Sequence, residues 1–206
     1  MLFNYPALHI KKSFLILCLF FLFSCGEDED FPDHTIEIKT NYGNIFVELY
    51  PEKAPQTVAS FISYIDSGIY KNSNFYRVLK AEDQPSSSFK SELIQGGIYI
   101  SDPGRLQKQK GIPLETTKET GLHHLDGTIS LARTTANSAS TEFFICIGKQ
   151  PAYDLGGSAN IDGLGYAAFG KVIKGMDVVK QIHEQPSYGN AFTPPVIIKN
   201  IVRLRK

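Results

Sequence analysis

The stretch Asp126–Gly148, "DGTISLARTTANSASTEFFICIG", decides the fold more than any other part of the chain. Two apolar runs, "GTISLA" and "EFFICIG", enclose the nine small or polar residues of "RTTANSAST". Short apolar runs bounded by turn-forming residues are typical of strands. Because side chains alternate along a strand, Phe143 and Phe144 must face opposite sides of the sheet. The stretch therefore predicts two strands joined by a loop, with one phenylalanine on each face of the second strand.

The residues before this stretch predict a hairpin and a helix. "HTIEIKT" and "NIFVELY" both alternate apolar and polar side chains, and "TNYGN" between them carries a turn glycine, so residues 34–50 predict a β-hairpin. The next segment, "PEKAPQTVASFISYIDSG", changes to helical spacing, with apolar residues at i, i+3, i+4 and i+7. This apolar face consists of Val58, Phe61, Ile62 and Ile65.

The residues after the central stretch predict a strand, a short helix and a last strand. "YAAFGKVI" reads as a strand, and "GMDVVKQIHEQ" predicts a helix that packs Met176, Val179 and Ile182. In the last strand, "PPVIIKNIVRLRK", one face is expected to carry Val196, Ile198, Val202 and Leu204. The inventory of seven or eight strands and two helices lacks regular βα alternation. It predicts a mainly β fold, an antiparallel barrel or a sandwich.

Composition and motifs exclude several classes of function. The chain has 21 basic and 21 acidic residues, so no strong field attracts nucleic acid. The stretch 165–172, "GYAAFGKV", has the spacing of a phosphate-binding loop but ends in Val172, which lacks the hydroxyl that would hold magnesium. The adjacent pair His123 and His124 lacks the spacing of metal ligands on one face. We therefore expect no nucleic-acid partner, no metal and no cofactor.

The first 34 residues predict export and lipid attachment. Lys11 and Lys12 precede ten apolar residues, 14–23, which as a helix would cover about half of a bilayer core. This is typical of a signal peptide and not of a membrane-spanning helix. The following "LFSC" resembles the lipobox of bacterial lipoproteins, in which the cysteine is acylated; the alternative is an ordinary signal peptide. We expect a lipoprotein signal peptide over residues 1–24, acylation at Cys25, an acidic tether over 25–34 and a folded domain over 35–206.

Three blocks carry a more specific resemblance. "FYRV…LIQGG", "DGTISLARTTANSASTEFFICIG" and "YAAFGKVIKGMDVVKQI" occur in this order and are similar to the signature blocks of the cyclophilins, which are peptidyl-prolyl cis-trans isomerases. The resemblance covers residues 35–206. It implies a closed eight-stranded antiparallel barrel capped by two α-helices, acting on proline-containing polypeptides. We expect a monomer that is exported and anchored by its lipid to the cell envelope, at the outer membrane on its periplasmic or surface face.

The resemblance also implies which residues form the site. From the residues alone, a surface arginine at a strand end is the favoured interpretation of Arg77; the resemblance assigns it the hydrogen bond to the prolyl nitrogen of the twisted amide. Gln95 would orient it, and Phe144 would form the floor of the proline pocket, leaving Phe143 for the barrel core. The catalytic residues implied are thus Arg77, Gln95 and Phe144. The substrate-binding residues implied are Leu93, Ala132, Arg133, Glu142, Tyr153 and Tyr166.

The chain departs from the family between Asn74 and Gly97. The spacer between Arg77 and "QGG" is longer than in many cyclophilins, and Glu92 stands where many members place a phenylalanine of the pocket wall. Either Phe89 folds back to replace this wall, or the pocket stays open. If Glu92 entered the pocket unpaired, its burial would weaken proline binding. The alternative to an isomerase is therefore a non-catalytic peptide-binding or chaperone module with the same groove.

Overall fold

The computed structural model describes residues 1–2, 30–86 and 89–204. Residues 31–206 form one compact unit. Cys25 and the predicted signal peptide, apart from its first two residues, lie outside the described residues, and the domain boundaries stay a prediction. Within the part of the chain that is described, no helix is both long enough and apolar enough to span a membrane.

In the described residues, nine strands form one antiparallel sheet that closes on itself. The strands are β1 Thr35–Thr40, β2 Asn44–Leu49, β3 Ser73–Leu79, β4 Leu93–Gly97, β5 Thr128–Leu131, β6 Phe143–Cys146, β7 Ala167–Lys174, β8 Ser187–Tyr188 and β9 Ala191–Arg203. Their order is β1-β2-β7-β5-β6-β4-β3-β9, and β9 pairs back with β1. The two-residue β8 adds to β9 alone. The closed eight-stranded antiparallel barrel is thereby confirmed.

Among the described residues, two main helices pack against this barrel, as expected. They are α1, Pro55–Asp66, and α4, Met176–His183; the one-turn helices α2, Pro103–Leu106, and α3, Thr117–Thr120, lie in the long connection between β4 and β5. The helix α1 buries Val58, Phe61 and Ile65, whereas α4 buries Val179 and Ile182. Their apolar spacing had predicted both helices, and burying an apolar stripe is what stabilises a helix this short.

Two separate apolar clusters follow from the alternation along β6. Phe143 is 0% exposed and packs in the barrel core, where its ring meets Phe61, Tyr70 and Phe75 edge-on. Phe144 belongs to a second cluster with Leu93 and other residues outside the core. The prediction that the two phenylalanines face opposite ways is confirmed. The second cluster is where the candidate site lies.

The expected face of the last strand is wrong beyond Ile198. In the pairing of β1 with β9, Lys39 lies opposite Asn200 but Thr40 lies opposite Ile198, so β9 carries one extra residue. Such a bulge reverses the alternation of side chains beyond it. Ile201 is consequently buried, and Val202 is only half-buried.

The helix α1 receives its N-terminal cap from a distant loop. Its own N-cap residue, Ala54, has no side-chain acceptor. Glu115, in the connection between β4 and β5, instead accepts the Gln56 N–H at 3.1 Å and the Thr57 N–H at 2.8 Å. Because the first turn of a helix leaves its N–H groups without intrahelical partners, this buried carboxylate fastens the loop to the helix.

Candidate active site

A β-bulge in β3 brings Tyr76 and Arg77 to one side of the barrel wall. Phe75 pairs with Gly96 and Arg77 pairs with Gln95, so Tyr76 is the extra residue on β3. In a regular strand, consecutive side chains point to opposite faces. Here both neighbours reach Gln95: Arg77 Nη1 donates to its Oε1 at 2.8 Å, and its Nε2 donates to the Tyr76 hydroxyl at 2.7 Å. The bulge is therefore what places two polar side chains in succession beside one glutamine.

A cavity of about 250 Å³, here called the slot, opens where these residues meet the second cluster. Drug-sized ligands occupy pockets of about 300–1,000 Å³, so the slot suits a smaller group such as one ring. Its lining contains eight of the nine site residues implied by the resemblance, namely Arg77, Leu93, Gln95, Ala132, Arg133, Phe144, Tyr153 and Tyr166. It also contains Thr134 and Ala159.

The floor of the slot is aromatic. Phe144 is 2% exposed, and its ring centroid lies 5.3 Å from those of both Tyr153 and Tyr166, with Tyr166 edge-on. The two tyrosine rings are 5.2 Å apart. Burial raises the pKa of both tyrosines, so their hydroxyls stay neutral. The slot thus combines an apolar, uncharged floor with two arginines in its lining, Arg77 and Arg133.

A buried polar network lies behind Phe144. The imidazole of His124 stacks on the Phe144 ring at 5.9 Å and 15°, and it is 1% exposed. Its Nδ1 lies 2.7 Å from Asp154 Oδ1, and its Nε2 lies 3.0 Å from Ser130 Oγ. Burial lowers the pKa of His124, so the neutral ring donates from Nδ1 to Asp154 and accepts the Ser130 hydroxyl at Nε2. This network fixes the ring that supports the floor.

Arg133 lines the slot, but its charge is paired with that of Asp162. Its two terminal nitrogens bind both oxygens of Asp162 at 2.7 and 2.8 Å, and its Nε donates to the Gly165 carbonyl at 2.7 Å. Its guanidinium also lies 5.4 Å from the centre of the Tyr166 ring. Bidentate pairs of this kind hold both partners in place. Arg133 therefore fastens the loop that carries Tyr166.

Glu142 is the one implied site residue that does not line the slot. It lies on a neighbouring cavity of about 520 Å³, which shares Gln95, Ala132, Arg133 and Thr134 with the slot. Its Oε1 accepts the Ile98 N–H at 2.8 Å and the Thr141 hydroxyl at 3.1 Å. The substrate contact expected of Glu142 stays a prediction.

The described part of the insertion, 80–86 and 89–92, contributes nothing to the lining of the slot. Phe89 is 42% exposed and does not fold back to form a wall. The insertion closes on itself instead, because the Gln84 side chain donates to the Ser91 carbonyl at 2.6 Å and accepts the Ser91 N–H at 3.0 Å. Glu92 is half-buried and does not line the slot, so its carboxylate does not place an unpaired charge in the pocket.

Sequence reasoning missed four residues that the geometry brings into the site. Thr134 follows a predicted strand edge and could have been found from it, whereas Ala159 lies in a long loop with no signal. Tyr76 was overlooked because only a bulge turns it toward Gln95. His124 had been considered as a metal ligand only; among the described residues, no group of three His, Cys, Asp or Glu side chains could hold a metal ion.

Comparison with known proteins identifies the family. The family model described as "Cyclophilin type peptidyl-prolyl cis-trans isomerase/CLD" matches residues 35–203. Peptidyl-prolyl cis-trans isomerase A of Dickeya dadantii is 34% identical over 175 residues, which cover 82% of this chain and 84% of the relative. Peptidyl-prolyl cis-trans isomerase B of Escherichia coli is 34% identical over 148 residues, covering 71% and 82%.

A solved structure agrees with these matches. The crystal structure of a Cryptosporidium parvum cyclophilin type peptidyl-prolyl cis-trans isomerase, determined in the presence of the dipeptide Ala-Pro, superposes with a TM-score of 0.64 at 26% identity. The superposition covers 84% of this chain and 99% of the Cryptosporidium parvum protein. The family match, the curated relatives and the closed barrel lead to one conclusion: the chain belongs to the cyclophilin-type peptidyl-prolyl cis-trans isomerases and is an enzyme of that class.

Proposed function

We propose that this isomerase accelerates X-Pro rotation in exported proteins through a hydrogen bond from Arg77 to the prolyl nitrogen. Rotation about a peptide bond costs about 18–20 kcal/mol because the nitrogen lone pair is shared with the carbonyl. In the twisted transition state this lone pair returns to nitrogen. A fixed donor aimed at the nitrogen then binds the twisted state more tightly than either planar isomer, which is the requirement for catalysis.

The observation that carries this proposal is the position of the Arg77 guanidinium. Gln95 Oε1 holds Arg77 Nη1 at 2.8 Å on the wall of the slot, above the Phe144 floor. A proline ring on that floor would have its nitrogen facing the wall, within reach of the remaining guanidinium donors. Arginine suits the task because its five donors form a rigid, permanently charged fork, so one donor can bind Gln95 while others remain for the substrate.

The test is the rate of cis-to-trans exchange of an Ala-Pro peptide, measured by NMR exchange spectroscopy. Removing one preorganised donor costs about 100- to 1,000-fold in rate, and we expect a loss of this size in kcat/KM for Arg77→Ala. Arg77→Lys should lose less, because the charge remains while the fork is lost. Arg203→Ala is the matched control, since it removes an arginine whose partner is the exposed Asp66. Equal rates for Arg77→Ala and Arg203→Ala would contradict the mechanism.

We also propose that the domain works outside the cytoplasm, tethered by a lipid on Cys25. The support is sequence alone: a basic start, ten apolar residues and a cysteine at their end. The acidic segment "GEDEDFPDH" after the cysteine resembles surface-export signals of Bacteroidetes-type lipoproteins. A tethered isomerase would meet its substrates as unfolded chains arriving in the envelope, where slow X-Pro exchange limits folding.

Metabolic labelling with palmitate tests the tether. We expect the full chain to incorporate the label and Cys25→Ser to lose it. Cys18→Ser, inside the predicted apolar run, is the matched control and should remain labelled. Label that persists after Cys25→Ser would overturn the acylation site without affecting the proposal for Arg77.

A further inference from the structure

A line of polar contacts leads from Arg77 to a buried carboxylate. Arg77 donates to Gln95 Oε1 at 2.8 Å, and Gln95 Nε2 donates to the Tyr76 hydroxyl at 2.7 Å. Tyr76 and Glu142 both line the cavity of about 520 Å³ beside the slot. Because the Tyr76 oxygen accepts from Gln95, its single proton must be donated elsewhere.

Glu142 offers the acceptor for this proton. Its Oε1 is bound by Ile98 and Thr141, but its Oε2 is buried and accepts no hydrogen bond of normal geometry from the residues that the structure describes. Burial raises the pKa of Glu142, and the Tyr76 hydroxyl opposes that rise. Burial and then the charge of Glu142 raise the pKa of Tyr76, so the hydroxyl keeps its proton. Glu142 Oε2 is a buried acceptor without a donor, which is costly, and a proton donated by the Tyr76 hydroxyl removes that cost.

We propose that Glu142 and Tyr76 are positioning residues, which act on catalysis by fixing the orientation of the Gln95 amide and thereby of Arg77. With the Tyr76 proton directed at Glu142, the hydroxyl can only accept from Gln95. The amide nitrogen of Gln95 must then face Tyr76, and its oxygen must face Arg77. The inference rests on the proposed function, because it gives a reason for the fixed guanidinium that the mechanism requires.

Without the carboxylate, the orientation is no longer unique. A Tyr76 hydroxyl that donated to Gln95 would favour the opposite amide rotamer, which presents the NH₂ group to Arg77. Two donors would then face each other, and the guanidinium would lose its holder. Catalysis by a fixed donor falls when that donor must reorganise at the moment of reaction.

Several charged and titratable groups surround Glu142. Tyr76 faces it from β3, and Tyr70 lies near enough for Glu142 to help raise its pKa, after burial. Arg133 lines the same cavity from the end of β5. The Ile98 N–H approaches from the residue after β4. Tyr99 also lines the cavity, and its backbone N–H stabilises the charged form of Glu142. Arg133 is paired with Asp162, and we assign the response of the site to acid to the Glu142 carboxyl.

The test measures kcat and KM separately for the Ala-Pro peptide in Tyr76→Phe, in Glu142→Gln and in the double variant. Because each single variant loses one hydrogen bond, we expect its kcat to fall about two- to tenfold. KM should stay unchanged because the lining of the slot is intact. The double variant should be no slower than Tyr76→Phe alone, since removing the hydroxyl already disconnects Glu142. Tyr99→Phe is the matched control, because it removes an exposed hydroxyl from the ring that packs on Tyr76.

The pH profile gives a second measurement. Acid should lower kcat of the wild type as Glu142 takes up a proton, and both single variants should lack this fall. A decrease of kcat caused by protonation of His124 would persist in both variants, which distinguishes it from one caused by Glu142. Three results would each overturn the positioning role of Glu142 and Tyr76. These are additive losses of kcat in the double variant, a change confined to KM, and a decrease of kcat in acid that persists in Tyr76→Phe. If Arg77→Ala were fully active, the proposed mechanism would fail as well. Loss of activity in Arg77→Ala together with an unchanged kcat in Tyr76→Phe would reject only the positioning role of Glu142 and Tyr76.

Discussion

The capping of α1 by Glu115 yields a prediction about stability that the sequence of α1 alone would not suggest. The two oxygens of one buried carboxylate accept the N–H groups of Gln56 and Thr57, and Ala54 provides no substitute. Thr57 is 0% exposed, so water cannot replace the lost acceptor at that position. We therefore expect Glu115→Ala to destabilise the domain and Glu115→Gln, which keeps one acceptor oxygen but no charge, to do so by about half as much.

The magnitude follows from the two contributions that the carboxylate makes. Replacing a capping side chain by alanine costs about 0.5–2 kcal/mol, and a negative charge at a helix N-terminus adds about 0.3–1 kcal/mol, or up to about 2 when partly buried. We expect about 3 kcal/mol for Glu115→Ala. In a domain of this size each kcal/mol lowers Tm by about 2–4 °C, so the fall should be about 6–12 °C.

Urea unfolding followed by circular dichroism measures this change, with the slope m as a check that the transition stays two-state. Glu82→Ala is the matched control, because Glu82 is an exposed glutamate in the insertion and should change stability by less than about 0.5 kcal/mol. If Glu115→Ala were no less stable than Glu82→Ala, the carboxylate would not be capping α1. Equal losses for Glu115→Ala and Glu115→Gln would assign the whole effect to charge and refute the two-acceptor argument.

Three further predictions concern titratable groups. Burial raises the pKa of the Cys146 thiol, so iodoacetamide should leave Cys146 unmodified in the native protein and alkylate it in urea, as peptide mass spectrometry would report; rapid native alkylation would contradict this burial. Burial lowers the pKa of His124 below its ordinary value of 6.5, so the unfolded chain binds more protons and the free energy of unfolding should decrease as pH falls through that value. Burial raises the pKa of Asp154, but hydrogen bonds led by those from His124 outweigh it and hold this pKa at about 2. The free energy of unfolding should therefore decrease further as pH falls from 3.8 toward 2. Urea titrations across pH test both, and a His124→Gln variant that keeps the decrease near 6.5 would reject the assignment.

Local periodicity was enough to predict the regular parts of the fold. The alternation in residues 34–50 and the helical spacing in 55–66 depend on neighbours in sequence, and both elements form as expected. The opposite orientations of Phe143 and Phe144 follow from the same rule, applied within one strand. Side chains that meet between paired strands, such as Arg77 on β3 and Gln95 on β4, could be brought together only through the resemblance to known cyclophilins.

What could not be predicted depends on pairing between distant strands. The bulge at Tyr76 and the extra residue of β9 are defined by register against β4 and β1, which no local pattern reports. This is why Val202 was assigned to the same face as Ile198 and why Tyr76 was not considered. The cap from Glu115 was missed for the same reason, because 58 positions separate it from Thr57.

The insertion shows why a long departure from the family can leave the slot intact. Gln84 and Ser91 are joined within the insertion by hydrogen bonds at 2.6 and 3.0 Å, so the insertion is tied to itself near its base. Lengthening a loop that is closed at its base costs little, because closure entropy grows only with the logarithm of its length. At the end of the insertion the Glu92 carbonyl accepts the Ile147 N–H at 2.9 Å, which restores the β4–β6 ladder before Leu93. The apolar wall beside Phe144 is thus set by strand register at Leu93, and neither the length nor the composition of the insertion need change it.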